Sequence, residues 1–251
     1  MFRAAPGGNM TTLMQNNPVK AVLTTRSLIW LVTMGILAAL LAVLTQAVID
    51  VTDRTQDIKT MNWAMDGLVG WDFWGVTTFF DVVSAVTGAK AGIVYGTLGI
   101  TFLLLLGKTR PAIVFTVVGL TIAAVSVLGD ATLGDFVDRG RPLDATPNPT
   151  PAFPSGHVFG STVFFGFIGF LAVYYQMKSK IVIPLLLILG TLTVLVGPAR
   201  VHVEAHYPSD VVAGYVLAAL WLLVIIPVFI YIRGTTWMDA WKNKENSAIV
   251  A

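Results

Sequence analysis

An all-α integral membrane protein, six transmembrane helices in one bundle with an active site at the extracytoplasmic face, is the fold class this sequence predicts. Three observations carry the prediction. Hydrophobic residues make up 55% of the chain and charged residues only 12%, with a mean hydropathy of +0.76. Soluble domains carry about 25% charged residues. Six uncharged apolar runs each approach the ~20 residues that a helix needs to cross the hydrocarbon core. The basic residues, finally, are distributed unequally about those runs.

The runs are 28–49, 91–107, 111–129, 158–177, 181–199 and 211–232. In lipid a segment must satisfy its own backbone hydrogen bonds, so the runs are expected as helices and not as strands. The second and third are separated only by "KTR" at 108–110, and the fourth and fifth only by "KSK" at 178–180. Each pair is therefore a tight helical hairpin. The first run follows 27 residues that include Arg3, Lys20 and Arg26 and lacks a small-residue cleavage pattern at its end. It is expected to be a retained span rather than a cleaved signal. The chain divides into a cytoplasmic segment 1–27, a membrane domain 28–232 and a cytoplasmic tail 233–251, without internal repeats.

Cytoplasmic termini follow from the charges. That arrangement puts Arg3, Lys20, Arg26, both basic turns, Arg233, Lys242 and Lys244 on the inner side, 10 of the 16 Lys and Arg. The outer side then holds the connections 50–90, 130–157 and 200–210. In the first of these, Trp63, Trp71 and Trp74 among acidic residues suit an interfacial helix-containing segment, either an aromatic anchor or one wall of a lipid entrance.

Chemistry concentrates in the other two connections. They hold all three histidines, His157, His202 and His206, together with Arg139, Arg141 and Arg200. Arginine on that face runs against the positive-inside bias and calls for an anion. Chemistry from cysteine is excluded, because the chain has none.

"PSGH", Pro154 to His157, directly precedes the fourth run. Ser155 is placed to cap a helix whose first N–H groups are unpaired and whose dipole is positive at that end, an arrangement that binds anions. Gly156 allows close approach to the backbone. His157 adds an imidazole of unperturbed pKa ~6.5. In "ARVHVEAHYPSDVVAG", 199–214, Pro208 is expected to start the sixth helix, with His206 just ahead and Asp210 in its first turn. Asp210 can orient His206 through an imidazole N–H and leave the other ring nitrogen as a nucleophile; it equally suits the helix dipole.

The order and spacing of these pieces resemble the three-part signature of the type 2 phosphatidic acid phosphatase (lipid phosphate phosphatase) family. They are "RP" at Arg141-Pro142, "PSGH" at 154–157, and Arg200, five residues, His206, three residues and Asp210, within six spans over 28–232. Two positions depart from the family pattern. Gly134 stands where the family usually has a lysine, seven residues before Arg141, and Ala199 stands where it usually has serine.

The resemblance implies a metal-free, cofactor-free phosphoryl transfer in two steps, with His206 as nucleophile oriented by Asp210 and His157 as proton donor and later base. It assigns the phosphate oxygens to Arg141, Arg200, Ser155 and Gly156, with Arg139 the nearest substitute for the missing lysine. Charge-assisted forks of this kind stabilise the charge spread over a phosphoryl group. The implied partners are the bilayer and a lipid phosphate or diphosphate: phosphatidate, phosphatidylglycerophosphate or polyprenyl diphosphate. No nucleic acid enters, and the oligomeric state stays open. Three other readings stand beside this one. "HVEAH", His202 to His206, can be read as a metal-binding segment; the same site serves a phosphotransferase; and six helices also suit a non-enzymatic lipid transporter, although its charges are expected inside the spans.

Overall fold

The apolar runs form helices, and every described regular element is helical. The computed structural model describes residues 18–52, 75–107, 109–142, 151–175 and 177–233. The tryptophan-bearing stretch Trp63, Trp71 and Trp74 lies outside them, as do parts of both proposed cytoplasmic ends. In chain order the helices are α1 (Pro18–Thr52), α2 (Val76–Val86), α3 (Ala89–Leu105), α4 (Thr109–Gly129), a π-helical turn (Asp130–Gly134), the single turn α5 (Asp135–Val137), α6 (Gly156–Tyr174), α7 (Ser179–His202) and α8 (Pro208–Arg233). Residues 1–36 form one unit, of which the N-terminal part of α1 is described; residues 37–251 form the other and hold everything discussed below.

Five segments are long and apolar enough to cross a membrane singly: Ser27–Asp50, Ala112–Val137, Gly156–Tyr174, Ser179–His202 and Pro208–Tyr231. The pair α2 and α3, bent by 48° at Thr87-Gly88, has the composition of a sixth, either as one broken span or as a re-entrant pair. The sequence placed all of 50–90 in a connection, because Asp81 and Lys90 interrupt the apolar pattern there. The third span likewise runs past Gly129, its expected end, to Val137, where Asp138 at φ 48 turns the chain out of the helix.

The central helix is α6. Its apolar window is 44% buried against 6% for that of α4, so α6 packs on protein while α4 turns most of its surface outward. Phe159, Val163 and Phe167 meet Ala218, Ile225 and Phe229 of α8, and the rings of Phe167 and Phe229 pack edge to face at 5.8 Å. Large apolar residues such as Leu98, Phe102, Leu120 and Leu187 are exposed, as lipid-facing residues must be.

Close helix approach sets the geometry at one end. A Cβ on Gly214 would lie 2.8 Å from the carbonyl oxygen of Ser155, so only glycine lets the start of α6 sit this near α8. The loop is tied there by Ser155 N–H donating to the Asp210 carbonyl at 3.0 Å. Two segments far apart in sequence thereby share one corner.

Candidate active site

That corner gathers the expected residues. Ser155 caps α6 with its hydroxyl oxygen 3.4 Å from the N–H of Val158, which places Gly156 and His157 in the first turn. Arg200 sits in the last turn of α7, two residues beyond Pro198, which lies inside the helix. Pro198 has no N–H for the Val194 carbonyl, and Tyr215 of α8 repairs the gap. Its hydroxyl oxygen accepts from Gly197 N–H at 3.1 Å, and it donates to the Thr193 carbonyl at 2.6 Å. The sequence carried no sign of this support. Pro208 opens α8 as expected, with His206 just ahead of it.

A cavity of about 670 Å³ opens among these groups. Arg141, Gly156, His157, Arg200 and His206 line one part of it. The lining continues along α6 as far as Ile168, with Tyr95 and Ile100 of α3 and Phe115 and Ile122 of α4 opposite. At 1.5 Å per residue the α6 part alone extends roughly 18 Å. The Nε groups of Arg141 and Arg200 are buried without a hydrogen-bond partner among the described residues. Buried guanidinium donors in that condition are costly unless an anion engages them.

His206 is held as a neutral base. Its Nδ1 lies 2.8 Å from the Ala152 carbonyl, which can only accept, so Nδ1 carries the proton and Nε2 keeps its lone pair. Burial first, then the nearby charges of Arg200 and Arg141, push the imidazole pKa down to about 3. Such a group stays neutral across the physiological range. Ala152 is itself fixed, its N–H donating to the Arg139 carbonyl at 2.8 Å.

Asp210 and Arg139 do not stand where the sequence put them. Asp210 Oδ2 is 3.8 Å from His206 Nδ1, too long for a hydrogen bond, and accepts instead from Tyr207 N–H at 2.8 Å. Its other oxygen, Oδ1, meets Arg139 at 3.1 Å. The same Arg139 nitrogen reaches Ser209 Oγ at 2.7 Å, and the guanidinium carbon lies 3.8 Å from the centre of the Tyr207 ring. Arg139 is 5% exposed, and neither it nor Asp210 lines the cavity. Its pKa is lowered by burial, against the opposing pull of Asp210. Arg139 thus braces the segment 207–210 through Nη1, while its Nη2 is buried without a hydrogen-bond partner among the described residues. The first choice for orienting His206 passes from a side chain to the Ala152 backbone.

Gly134 also has a structural reason. A Cβ there would fall 2.7 Å from Pro151 Cβ and 3.4 Å from the Phe153 carbonyl oxygen. The position packs against the 151–155 loop, so a lysine has no room and its absence is not simply a lost cation. His202 lies apart from the cavity lining; its Nε2 is 3.2 Å from Thr77 Oγ1 and its ring packs on Phe80 at 4.9 Å.

A model of the PAP2 superfamily matches residues 104–233, just over half of the chain. The chain belongs to the PAP2 superfamily. The matched segment contains every candidate site residue: Arg139, Arg141, Ser155, Gly156, His157, Arg200, His206 and Asp210. Among curated relatives of this PAP2 chain, phosphatidylglycerophosphatase B of Bacillus subtilis (strain 168) is 31% identical over 97 residues. That match covers 37% of this chain and 47% of the relative, so the chain spans about half the length of the curated relative it matches. A crystal structure of a transmembrane PAP2-type phosphatidylglycerolphosphate phosphatase from Bacillus subtilis has the same fold. It gives a TM-score of 0.64 at 18% identity, covering 81% of this chain and 98% of that one. The all-helical membrane fold expected from the sequence is thus the fold of the superfamily.

Proposed function

We propose that this PAP2 protein is a membrane lipid phosphatase that removes a phosphate head group through a phosphohistidine intermediate. One observation carries the reading: a single cavity joins two imidazoles and two guanidiniums to an apolar passage about 18 Å long. The polar part suits a phosphoryl group and the passage suits the tail attached to it. Among the substrates that the sequence suggests, similarity to a phosphatidylglycerophosphatase favours phosphatidylglycerophosphate, with phosphatidate and polyprenyl diphosphate next.

The chemistry follows from the atoms present. Nε2 of His206 attacks phosphorus, forming the N–P bond as the bond to the lipid oxygen breaks. His157 protonates that oxygen, then takes a proton from the water that cleaves the N–P bond, releasing orthophosphate. Arg141 and Arg200 hold the non-bridging oxygens throughout. Arg139 and Asp210 act through the 207–210 segment and touch no reacting atom.

Phosphate release by the purified protein tests this on a panel of lipid monophosphates and diphosphates, with and without chelator. The expected result is turnover of phosphatidylglycerophosphate that chelator leaves within about twofold. Loss of activity in chelator, restored by a divalent metal, overturns the histidine mechanism; no release from any lipid favours a transporter.

The site is assigned to the extracytoplasmic face on the distribution of Lys and Arg. In a chain without cysteine, Gly140→Cys and Ser179→Cys place single thiols at exposed positions on opposite sides of this arrangement. The first is expected to react with an impermeant maleimide added to intact cells and the second only after lysis. The reverse pattern puts the site in the cytoplasm.

A further inference from the structure

Membrane helices that break leave backbone carbonyls without their usual partners, and in lipid these must be satisfied by something nearby. The break between α2 and α3 does this at the active site. In an unbroken helix the carbonyl of Ser84 would accept from the N–H of Gly88, four residues on. Here Gly88 N–H donates to Ala85 instead, at 3.3 Å, and the Thr87 hydroxyl donates to Val83 at 2.7 Å. The Ser84 carbonyl loses its helical partner; the Thr87 hydroxyl approaches it only at 3.5 Å, and His157 Nε2 lies nearer, at 3.1 Å. The Thr87 carbonyl, also freed, takes the hydroxyl of Ser161, one turn along α6 from His157. Ser84 Oγ in turn accepts from Arg200 at 2.8 Å.

Gly88 completes the arrangement. Its backbone is ordinary, φ −74 and ψ 165, so conformation does not require glycine. Space does. A Cβ at 88 would sit 3.0 Å from His157 Cε1 and 3.2 Å from its Nε2.

We propose that the α2–α3 break is a positioning device for phosphoryl transfer, in which the Ser84 carbonyl fixes the His157 tautomer, the Ser84 hydroxyl steadies Arg200, and Gly88 leaves the imidazole its room. The proposal rests on His157 as proton donor and adds three groups that lie outside the three sequence blocks. A carbonyl can only accept, so Nε2 keeps its proton and Nδ1 is the nitrogen that works. Protonated Nδ1 gives its proton to the leaving oxygen as the P–O bond breaks, and takes one back from water in the second step. Both histidines are then oriented by main-chain carbonyls, His206 by Ala152 and His157 by Ser84.

The test uses two phosphates that differ in the leaving oxygen, a long-chain alkyl phosphate and a nitrophenyl phosphate, whose phenolate needs no proton. Gly88→Ala is expected to slow the first step, read as release of the leaving group in a single turnover, tenfold or more on the alkyl substrate and less than threefold on the nitrophenyl substrate, as His157→Ala does; the second step is common to both. Ser84→Ala, which keeps the carbonyl, is expected to raise KM severalfold while leaving the alkyl-to-nitrophenyl kcat ratio unchanged, and Ser84→Thr to restore KM. Equal losses on both phosphates in Gly88→Ala, or no loss, overturn the proposal. Nitrogen-15 spectra of histidine-labelled protein supply a readout independent of turnover: His157 is expected as the Nε2–H tautomer, displaced in Gly88→Ala. An Nδ1–H tautomer in the wild type refutes the carbonyl's role even if every variant misfolds. The expected spectra in a protein that hydrolyses no phosphate overturn the phosphatase reading and leave the positioning of His157 standing.

Discussion

Replacing His206 with alanine is expected to abolish turnover, a loss of at least a thousandfold on the best lipid phosphate. A thousandfold corresponds to about 4 kcal/mol of transition-state stabilisation, the scale expected when the bond-making atom itself is removed. The cause is specific to this imidazole. With Nδ1 tied to the Ala152 carbonyl and the ring kept neutral by burial and by Arg200 and Arg141, Nε2 is the one nitrogen of His206 with a lone pair to offer. Acid quenching would destroy a phosphohistidine, so wild type and variant are compared by alkaline quench after a single turnover of labelled substrate. A base-stable, acid-labile phosphoenzyme is expected in the wild type and none in His206→Ala. Near wild-type rate in the variant removes His206 from the chemistry.

Arg139→Ala is expected to be nearly as damaging, for a different reason. The change strands the Asp210 carboxylate, 0% exposed, with only the Tyr207 N–H from its present partners. Breaking a buried pair by removing one member costs about 3–5 kcal/mol, well above a surface substitution. Because the pair braces the segment that follows His206, activity should fall at least tenfold together with thermal stability in detergent. Lysine should rescue only in part, since an ammonium can keep the charge beside Asp210 but not the planar guanidinium stacked on the Tyr207 ring. Asp210→Asn in the Arg139→Ala background should recover most of the stability by removing the stranded charge. Phosphate contact predicts the opposite pattern: unchanged stability, raised KM and no recovery from Asp210→Asn. A variant with activity within threefold and unchanged stability defeats both assignments.

The membrane fold and the side chains that line the cavity's polar part were legible in the sequence, because both depend on residue type. Leucine-rich runs of membrane length have few other places to go, and an imidazole or a guanidinium advertises its chemistry wherever it stands. His157, His206, Arg141 and Arg200 accordingly meet at one cavity, as the family resemblance implied. The break at Thr87-Gly88 was harder to read, since charged Asp81 and Lys90 masked a helix pair that bends by 48°.

What tertiary structure decided is which partner each of these groups finds. Arg139 was two residues from Arg141 and looked like a second phosphate ligand, but the left-handed turn at Asp138 and the nearness of α8 send its guanidinium to Asp210. Gly134 looked like a missing lysine; its contact with Pro151 is visible only once the 151–155 loop is folded over it. Ala152 and Ser84 orient the two histidines through carbonyl oxygens that every residue possesses, so no side-chain pattern could mark them. Residue type sets what a group can do, whereas the direction of a backbone carbonyl and the space beside a ring are set by the packing of helices distant in sequence.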